Sequence, residues 1–173
     1  MPGASERELL LAYLTLRVNG SPVAVSVKPG TYLDVKRTWS AGDTVDFTLN
    51  FKPELWEANP LVEETVNHVA VKYGPLVYCV ESNDLPEGVR LREVVVQSGV
   101  EPVFSFRQEQ LADTRVGTLT LPALALPSQP WSDQELYRPA TRQTPRPFSL
   151  KVVPYYAWGN RGDTEMSVWL PAR

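Results

Sequence analysis

The amino-acid sequence predicts an all-β protein made of two β-sandwich, jelly-roll-like units. Three observations carry this prediction: apolar and polar residues alternate over short runs, turn residues punctuate those runs, and no stretch has a long helical period. The clearest run is 45–51, where Val45, Phe47, Leu49 and Phe51 would share one face of an extended strand. On a helix the same residues would scatter around the circumference, so a half-buried strand is predicted.

Residues 1–85 are predicted to form the first sandwich. Its first strand leads into Asn19-Gly20, a pair typical of tight hairpins because both residues tolerate positive φ. Two prolines make 52–60 a predicted loop. Gly74-Pro75 predicts a kink or bulge, since proline cannot donate a hydrogen bond to a ladder. The strands predicted in this half are 13–18, 22–27, 31–37, 45–51, 68–73 and 76–80.

Residues 86–173 are predicted to form the second sandwich. A bulge is expected at Pro122, within an apolar strand. A proline-rich stretch, 127–147, predicts a long loop with little helix. A closing hairpin is expected, with its turn at 160–163. The strands predicted before this hairpin are 92–97, 103–108 and 116–126.

Composition and charge exclude several classes of function. The net charge is −3 and no basic stripe is present, which argues against a nucleic-acid partner. The single cysteine and single histidine are too few for a structural zinc site, and no disulfide can form within the chain. The apolar run 9–16 is too short to span a membrane. Glu6 and Glu8 before it and Arg17 after it fit a signal peptide poorly, which favours a cytoplasmic over a secreted protein and leaves the compartment open.

No residue stands out as catalytic. His68 has no serine or cysteine near it in the sequence, which favours a structural or surface role. Cys79 lies in an apolar strand, whereas a nucleophilic thiol must be partly exposed, so an inert core thiol is expected. Glycosidases use two carboxylates for catalysis, so the neighbouring pairs Glu63/Glu64 and Asp43/Asp46 are candidates for such a pair. Nothing singles out either pair, and Asp43 follows a glycine as turn-capping residues do.

The closing segment carries the candidate binding residues. They are Tyr155, Tyr156, Trp158, Arg161 and Trp169, as carbohydrate-binding or domain-interface residues. Aromatic residues are predicted on both faces of the hairpin, which favours burial against a neighbouring domain over an exposed platform that stacks on sugars. Arg161 is expected to cover Trp158 or Trp169 through a cation–π contact.

Three motifs, in this order, resemble the carboxy-terminal region of glycoside hydrolase family 127, the β-L-arabinofuranosidase-like family. They are R-x-W-x-x-G-D at 37–43, G-P-L-V-Y-C at 74–79 and Y-Y-A-W-x-N-R-G at 155–162. The resemblance covers about 18–81 and 154–171, and the combination of motifs is specific. Members of this family have further strands before the turn at Asn19-Gly20. The first sandwich of this chain is therefore expected to lack strands and to expose a sheet edge.

The resemblance also implies what the chain does not contain. In the family, an (α/α)6 barrel ahead of the β-sandwiches carries the catalytic residues and a zinc ion. No position here matches those catalytic or zinc-binding motifs, so no catalytic residue and no metal or other cofactor is expected in this chain. Zinc is expected only in the barrel of the parent protein.

Three functional hypotheses follow, none of which makes this chain an enzyme by itself. The preferred one is a non-catalytic accessory region that packs on and stabilises an (α/α)6 barrel, in cis or in trans, in a parent acting on L-arabinofuranosides. The second is a free-standing carbohydrate-binding module for arabinose-containing glycans. The third is a structural or assembly domain that forms homo-oligomers through an open sheet edge. No nucleic-acid or membrane partner is expected.

Overall fold

The structure is a computed structural model that describes residues 14–24, 30–97, 103–127, 130–140 and 144–173. The described residues form β-strands and four short 3-10 helices, so the predicted all-β class is confirmed. Among these residues, no helical segment has the length and hydrophobicity of a transmembrane span. The strands are β1 (Leu14–Val18), β2 (Ser21–Pro22), β3 (Val45–Leu49), β4 (Pro53–Trp56), β5 (His68–Tyr73), β6 (Leu76–Glu81), β7 (Val94–Val95), β8 (Ser105–Leu111), β9 (Thr114–Ala125), β10 (Arg146–Pro154), β11 (Met166–Ser167) and β12 (Trp169–Pro171). The 3-10 helices are Glu63–Thr65, Ser82–Asp84, Leu91–Glu93 and Tyr155–Ala157.

The chain separates into two compact units, 1–52 and 53–173. The predicted division at 85/86 falls inside the second unit. There, β5 and β6 share one sheet with β7 to β12, so strands from both sides of the predicted boundary belong together.

The first unit contains a three-stranded antiparallel sheet in the order β2-β1-β3. The predicted turn is confirmed: Asn19 and Gly20 have φ of 52° and 76°, and Val18 pairs with Ser21 across them. The predicted strand 31–37 is wrong, because the structure has no strand there. Of the predicted strand 22–27, β2 reaches only Pro22, and 25–29 lie outside the described residues.

The strand predicted at 45–51 exists as β3, but its apolar face is not covered. Val45, Phe47 and Leu49 are 50%, 53% and 46% exposed, whereas a half-buried strand was predicted. Their partners across the sheet behave differently, since Leu16 and Val18 on β1 are buried. The difference arises because β1 is central and β3 is an edge strand. Alternation shows which residues share a face, and it leaves open whether another layer covers them.

The second unit contains a nine-stranded sheet in the order β12-β5-β6-β10-β9-β7, with β4 on β5, β11 on β6 and β8 on β9. The two ends of this order meet through a parallel bridge between Val96 and Ala172. The sheet thus curls around one large core. The buried core residues are Val69, Val71, Tyr78, Val80, Val94, Val96, Leu119, Leu121, Ala123, Leu150, Val152 and Leu170.

Two proline predictions are corrected by the pairing of strands. Gly74-Pro75 is a two-residue turn rather than a bulge, because Tyr73 pairs with Leu76 and Gly74 has a φ of 57°. Pro122 makes no bulge either, since β9 and β10 keep one register through it. On the other side of β9, Pro122 faces a gap between two strands. The first residue of β8, Ser105, lies opposite Thr120, and the last residue of β7, Val95, lies opposite Leu124. A missing N–H is tolerated in such a gap.

The loop predicted at 52–60 also contains a strand. Its first residues form β4, which pairs with β5 along 70–73. Pro53 is the first residue of this strand, a position where proline is tolerated. In the proline-rich stretch 127–147, the described residues form no strand before β10 begins at Arg146.

The prediction of a closing hairpin is wrong. β10 pairs with β9 and β6, while β11 pairs with β6 and β12 pairs with β5. The two arms of the predicted hairpin therefore never pair with each other. Both arms do alternate as strands, but each finds its partners far away in the sequence.

Candidate functional site

The segment 155–165, called here the aromatic loop, connects β10 to β11. Tyr155 and Tyr156 begin a 3-10 helix and are 48% and 58% exposed, and Trp158, which follows it, is 41% exposed. Ala157, between them, is buried in a small cluster with Cys79 and Val153. The start of the loop is therefore packed against the protein through Ala157, while the three aromatic rings are exposed.

Trp169 has a different place from the other candidate aromatics. It lies on β12, opposite Ala70 of β5, and is only partly exposed. Tyr155, Tyr156 and Trp158 are exposed in this chain, so the predicted burial of these rings against a neighbouring domain stays a prediction.

Arg161 is the main anchor of the aromatic loop. Its Nη1 and Nη2 donate to the two carboxylate oxygens of Asp84, at 2.9 and 2.5 Å, and Nη2 also donates to Oε2 of Glu81. Glu81 is fully buried, and its other oxygen accepts the backbone N–H of Gly159 at 2.9 Å. A guanidinium that grips a carboxylate with two parallel bonds fixes direction as well as distance.

The expected cation–π contact of Arg161 is wrong. Within the described residues, the cations that lie over tryptophan rings are Arg37 over Trp39, Lys72 over Trp56 and Arg138 over Trp131. Arg161 is instead committed to two carboxylates, because ion pairing with buried anions is stronger than a contact with an exposed ring.

The ion pairs continue through Lys151 on β10. Its Nζ lies 3.1 Å from Oδ1 of Asp84 and 2.8 Å from Oε2 of Glu109 on β8. Burial alone would raise the pKa of Asp84, but hydrogen bonds from Arg161 and Lys151 outweigh it and hold that pKa below 3.8. The hydrogen bond from Lys151 likewise lowers the pKa of Glu109. These carboxylates stay ionised and paired.

The carboxy-terminal end of the aromatic loop is also held by hydrogen bonds. Ser82 and Glu165 exchange backbone and side-chain bonds: Ser82 N–H donates to the Glu165 carbonyl at 2.9 Å, and Glu165 N–H donates to Ser82 Oγ at 3.1 Å. Ser82 Oγ also lies 2.9 Å from Thr164 Oγ1. Glu81, Ser82 and Asp84 therefore hold the middle and the carboxy-terminal end of the loop through these bonds.

Chemically, the ion pairs of this arrangement fix the positions of side chains. Glu81 and Asp84 share one guanidinium and lie beneath the loop, whereas a glycosidase needs two carboxylates on either side of an open substrate site. In the described part of the chain, no group of three His, Cys, Asp or Glu residues is arranged to hold a metal ion. Sequence reasoning missed Glu81 and Asp84. The one available signal was a glutamate at the end of the apolar run 76–80.

His68 and Cys79, the two other side chains considered from the sequence, are not among the residues that form the ion pairs described above. His68 begins β5, and its Nδ1 lies 2.8 Å from the carbonyl oxygen of Val66, which accepts a hydrogen bond from it. Cys79 is buried, as predicted. Burial raises the pKa of Cys79 to about 12, and the negative charge of Glu81 adds to this effect. A thiol of this kind is a poor nucleophile at neutral pH.

The buried thiol gives a testable dependence of stability on pH. The pKa of Cys79 is raised from 9.0 to about 12 on folding, so its contribution to stability is full below pH 9 and is lost as the pH rises toward 12. We expect the free energy of unfolding to fall by about 1 kcal/mol between pH 9 and 10 from this group alone. Urea denaturation at a series of pH values, compared between the wild type and Cys79→Ala, isolates it. Equal slopes for the two proteins in this interval would contradict the assignment.

Comparison with known proteins places this geometry in a family. The model of the glycoside hydrolase family 127 C-terminal domain matches residues 53–171, and the model of the β-L-arabinofuranosidase, GH127 middle domain, matches residues 11–51. The chain belongs to glycoside hydrolase family 127. The boundary between the two family models coincides with the boundary between the two compact units.

Relatives in family 127 are much longer than this chain. A non-reducing end β-L-arabinofuranosidase from Bifidobacterium longum subsp. longum is 36% identical over 162 residues, which are 90% of this chain and 23% of that protein. A solved glycoside hydrolase superposes with a TM-score of 0.78 at 37% identity, over 92% of this chain and 26% of the other. A family 127 β-L-arabinofuranosidase from Geobacillus stearothermophilus T6 gives 0.73 at 29% identity, over 92% and 24%. The chain spans about a quarter of their length.

The family 127 motifs have clear structural roles here. In R-x-W-x-x-G-D, Asp43 accepts the backbone N–H of Ser40 at 2.9 Å, receives the amide of Asn19 at 2.7 Å and lies 3.5 Å from Arg37. The bond from Ser40 is the main reason that the pKa of Asp43 is lowered, followed by the bond from Asn19. Asp43 thus caps its turn, as predicted, and joins it to the first hairpin. The motif Y-Y-A-W-x-N-R-G supplies the exposed rings and their anchor, Arg161.

Proposed function

We propose that this chain is the non-catalytic accessory β-sandwich region of a family 127 glycoside hydrolase acting on L-arabinofuranoside-type substrates. In this role it packs on an (α/α)6 catalytic barrel, in cis or in trans, and stabilises it. The observation that carries the proposal is the uncovered apolar row on β3, where Val45, Phe47 and Leu49 are each about half exposed. An edge strand with such a row gains stability when another domain covers it.

The aromatic loop supports the same role in the second unit. Tyr155, Tyr156 and Trp158 are exposed side by side in sequence, and Arg161 holds their loop rigidly. Rigid aromatic residues lose little conformational entropy on binding, so they suit an interface. The small fraction of the relatives that this chain spans leaves room for a catalytic domain elsewhere in the parent.

The proposal is tested by complementation with a barrel. The part of the Bifidobacterium longum relative that lies outside the matched 162 residues would be produced separately and mixed with this chain. We expect co-purification and a gain in hydrolysis of an aryl β-L-arabinofuranoside. Phe47→Asp is expected to weaken the association at least tenfold, because it places a charge at an apolar contact. Tyr32→Asp, at an isolated residue that is 97% exposed, is the matched control and should change little.

Two results would contradict the proposed role. Hydrolysis by this chain alone would show that it is itself catalytic. A barrel that is equally stable and active with and without the chain, together with no measurable association, would show that the chain is not its accessory.

A free-standing carbohydrate-binding module is the second candidate, and the exposed aromatic loop favours it. Tyrosine and tryptophan rings stack on the apolar faces of sugars. Titration with arabinose-containing oligosaccharides, followed by tryptophan fluorescence, distinguishes the two roles. A saturable change that Tyr156→Ala abolishes would favour the module. Unchanged fluorescence, with complementation of the barrel, would favour the accessory role.

A further inference from the structure

A polar cavity lies in the second unit, and none of its described lining residues belongs to the aromatic loop. Its volume is about 460 Å³, within the range of pockets that take small ligands. It is lined on one side by residues 88–93, including Arg90 and Arg92, and on the other by residues of the proline-rich stretch, including Pro130 and Trp131. Neither the family motifs nor the proposed packing role uses this cavity.

Hydrogen bonds of the main chain hold the two walls of the cavity in place. Leu126 N–H donates to the carbonyl of Glu93 at 2.8 Å, which joins the walls through the main chain. The buried Glu93 accepts the backbone N–H of Arg90 at 3.1 Å, and its own N–H donates to the Arg90 carbonyl at 2.9 Å. The carboxylate of Glu93 is thus engaged with the backbone of its own wall.

The two arginines bring positive charge to the cavity. Both Arg90 and Arg92 are exposed, and neither forms an ion pair in the part of the chain that the structure describes. Against them the lining has one acidic residue, Glu93. Guanidinium groups present paired N–H donors that match the two oxygens of a carboxylate. The cavity therefore suits a ligand with a single carboxylate better than a neutral one.

Trp131 supplies a surface for a ring. Arg138 lies over one face of its indole, 4.1 Å from the ring centroid, and is held there by a 2.9 Å bond from Nη1 to the Pro130 carbonyl. Trp131 is nevertheless 50% exposed, so the rest of the indole is open. An indole held in this way can stack on the apolar face of a sugar ring.

We propose that this cavity binds a uronic acid residue, with Arg90 and Arg92 holding its carboxylate and Trp131 stacking on its ring. A polyanion such as a nucleic acid fits less well, because the chain carries a net charge of −3 and the described lining of the cavity contributes two guanidinium groups. The site goes beyond the accessory role and does not depend on it, because one unit supplies every lining residue.

The test is a titration of the 173-residue chain with D-galacturonic acid, D-galactose, acetate and inorganic phosphate, followed by NMR chemical shifts at low ionic strength. We expect saturable shifts with galacturonic acid and binding at least about tenfold weaker for the other three. Arg90→Gln and Arg92→Gln should each weaken binding about tenfold, since each removes charge-assisted hydrogen bonds. Trp131→Ala should weaken it to a similar extent, and 0.5 M NaCl should reduce binding by the wild type.

Arg115→Gln is the matched control, because Arg115 is an exposed arginine on β9 outside the cavity. It should bind galacturonic acid as the wild type does, and the thermal unfolding of all variants should be compared to verify that each is folded. Equal binding of galactose would overturn carboxylate recognition. Equal binding of acetate or phosphate would reduce the cavity to a general anion site and overturn the proposal. Absence of saturable binding by the folded wild type would also overturn it.

Discussion

Replacing Arg161 with alanine is expected to lower the free energy of unfolding of the second unit by about 3–5 kcal/mol. The reason is Glu81, which is fully buried and bonded to the Arg161 guanidinium and to Gly159 N–H. Without Arg161, the buried carboxylate of Glu81 loses its counter-ion. Asp84 loses the guanidinium that donates to both of its carboxylate oxygens. Water has little access to Glu81 to compensate, because the three residues before it on β6, 78–80, are also buried.

Urea denaturation followed by circular dichroism at neutral pH measures this loss. Arg115→Ala, at an exposed position without a buried partner, is the control and should change stability by no more than about 0.5 kcal/mol. The double variant Glu81→Leu/Arg161→Met should recover much of the loss, since replacing both members of a buried pair by apolar residues is often neutral. A cost below about 1 kcal/mol for Arg161→Ala would mean that Glu81 does not depend on this ion pair.

Replacing Leu150 with alanine is expected to cost about 2–5 kcal/mol. Leu150 lies in the middle of β10, is 0% exposed and pairs with Leu121 across the sheet. It belongs to the large core together with Tyr78 and Leu119, so its removal opens a cavity among residues that are themselves held by strands on both sides. The cost includes both the lost burial and the unfilled volume.

The same denaturation experiment tests this second prediction, with the adjacent Ser149→Ala as its control. Ser149 is exposed on the same strand, so its change should stay within about 0.5 kcal/mol. If Leu150→Ala costs no more than Ser149→Ala, then the large core does not hold the second unit together. A large loss that spreads to the first unit would show that the two units unfold as one.

The fold class and the local turns were predictable because they depend on neighbouring residues. Alternation marked β3, and Asn19-Gly20 marked a hairpin whose positive φ angles the structure shows. Strand partners were not predictable in the same way. Both arms of the closing segment alternate as strands, but β10 pairs with β9 and β6, while β12 pairs with β5, far away in the sequence. A local pattern gives the faces of a strand and does not name its neighbour.

The candidate site was predicted in part for the same reason. Tyr155, Tyr156 and Trp158 stood out by composition, and the structure exposes all three in this chain. The partners of Arg161 did not stand out, because Glu81 and Asp84 precede it by 80 and 77 residues. Arg90, Arg92 and Trp131 drew no attention in the sequence, since only the fold brings their two segments to one cavity.

The bridge between Val96 and Ala172 has a consequence for synthesis of the protein. Val96 N–H donates to the Pro171 carbonyl, and Arg173 N–H donates to the Val96 carbonyl, so the curled sheet closes through residues 171–173. During translation the second unit therefore cannot complete its sheet until these residues have left the ribosome. Until then, residues 68–70 of β5 and the backbone of Val96 lack the partners that 169–173 provide, and such open strand edges favour aggregation of nascent chains.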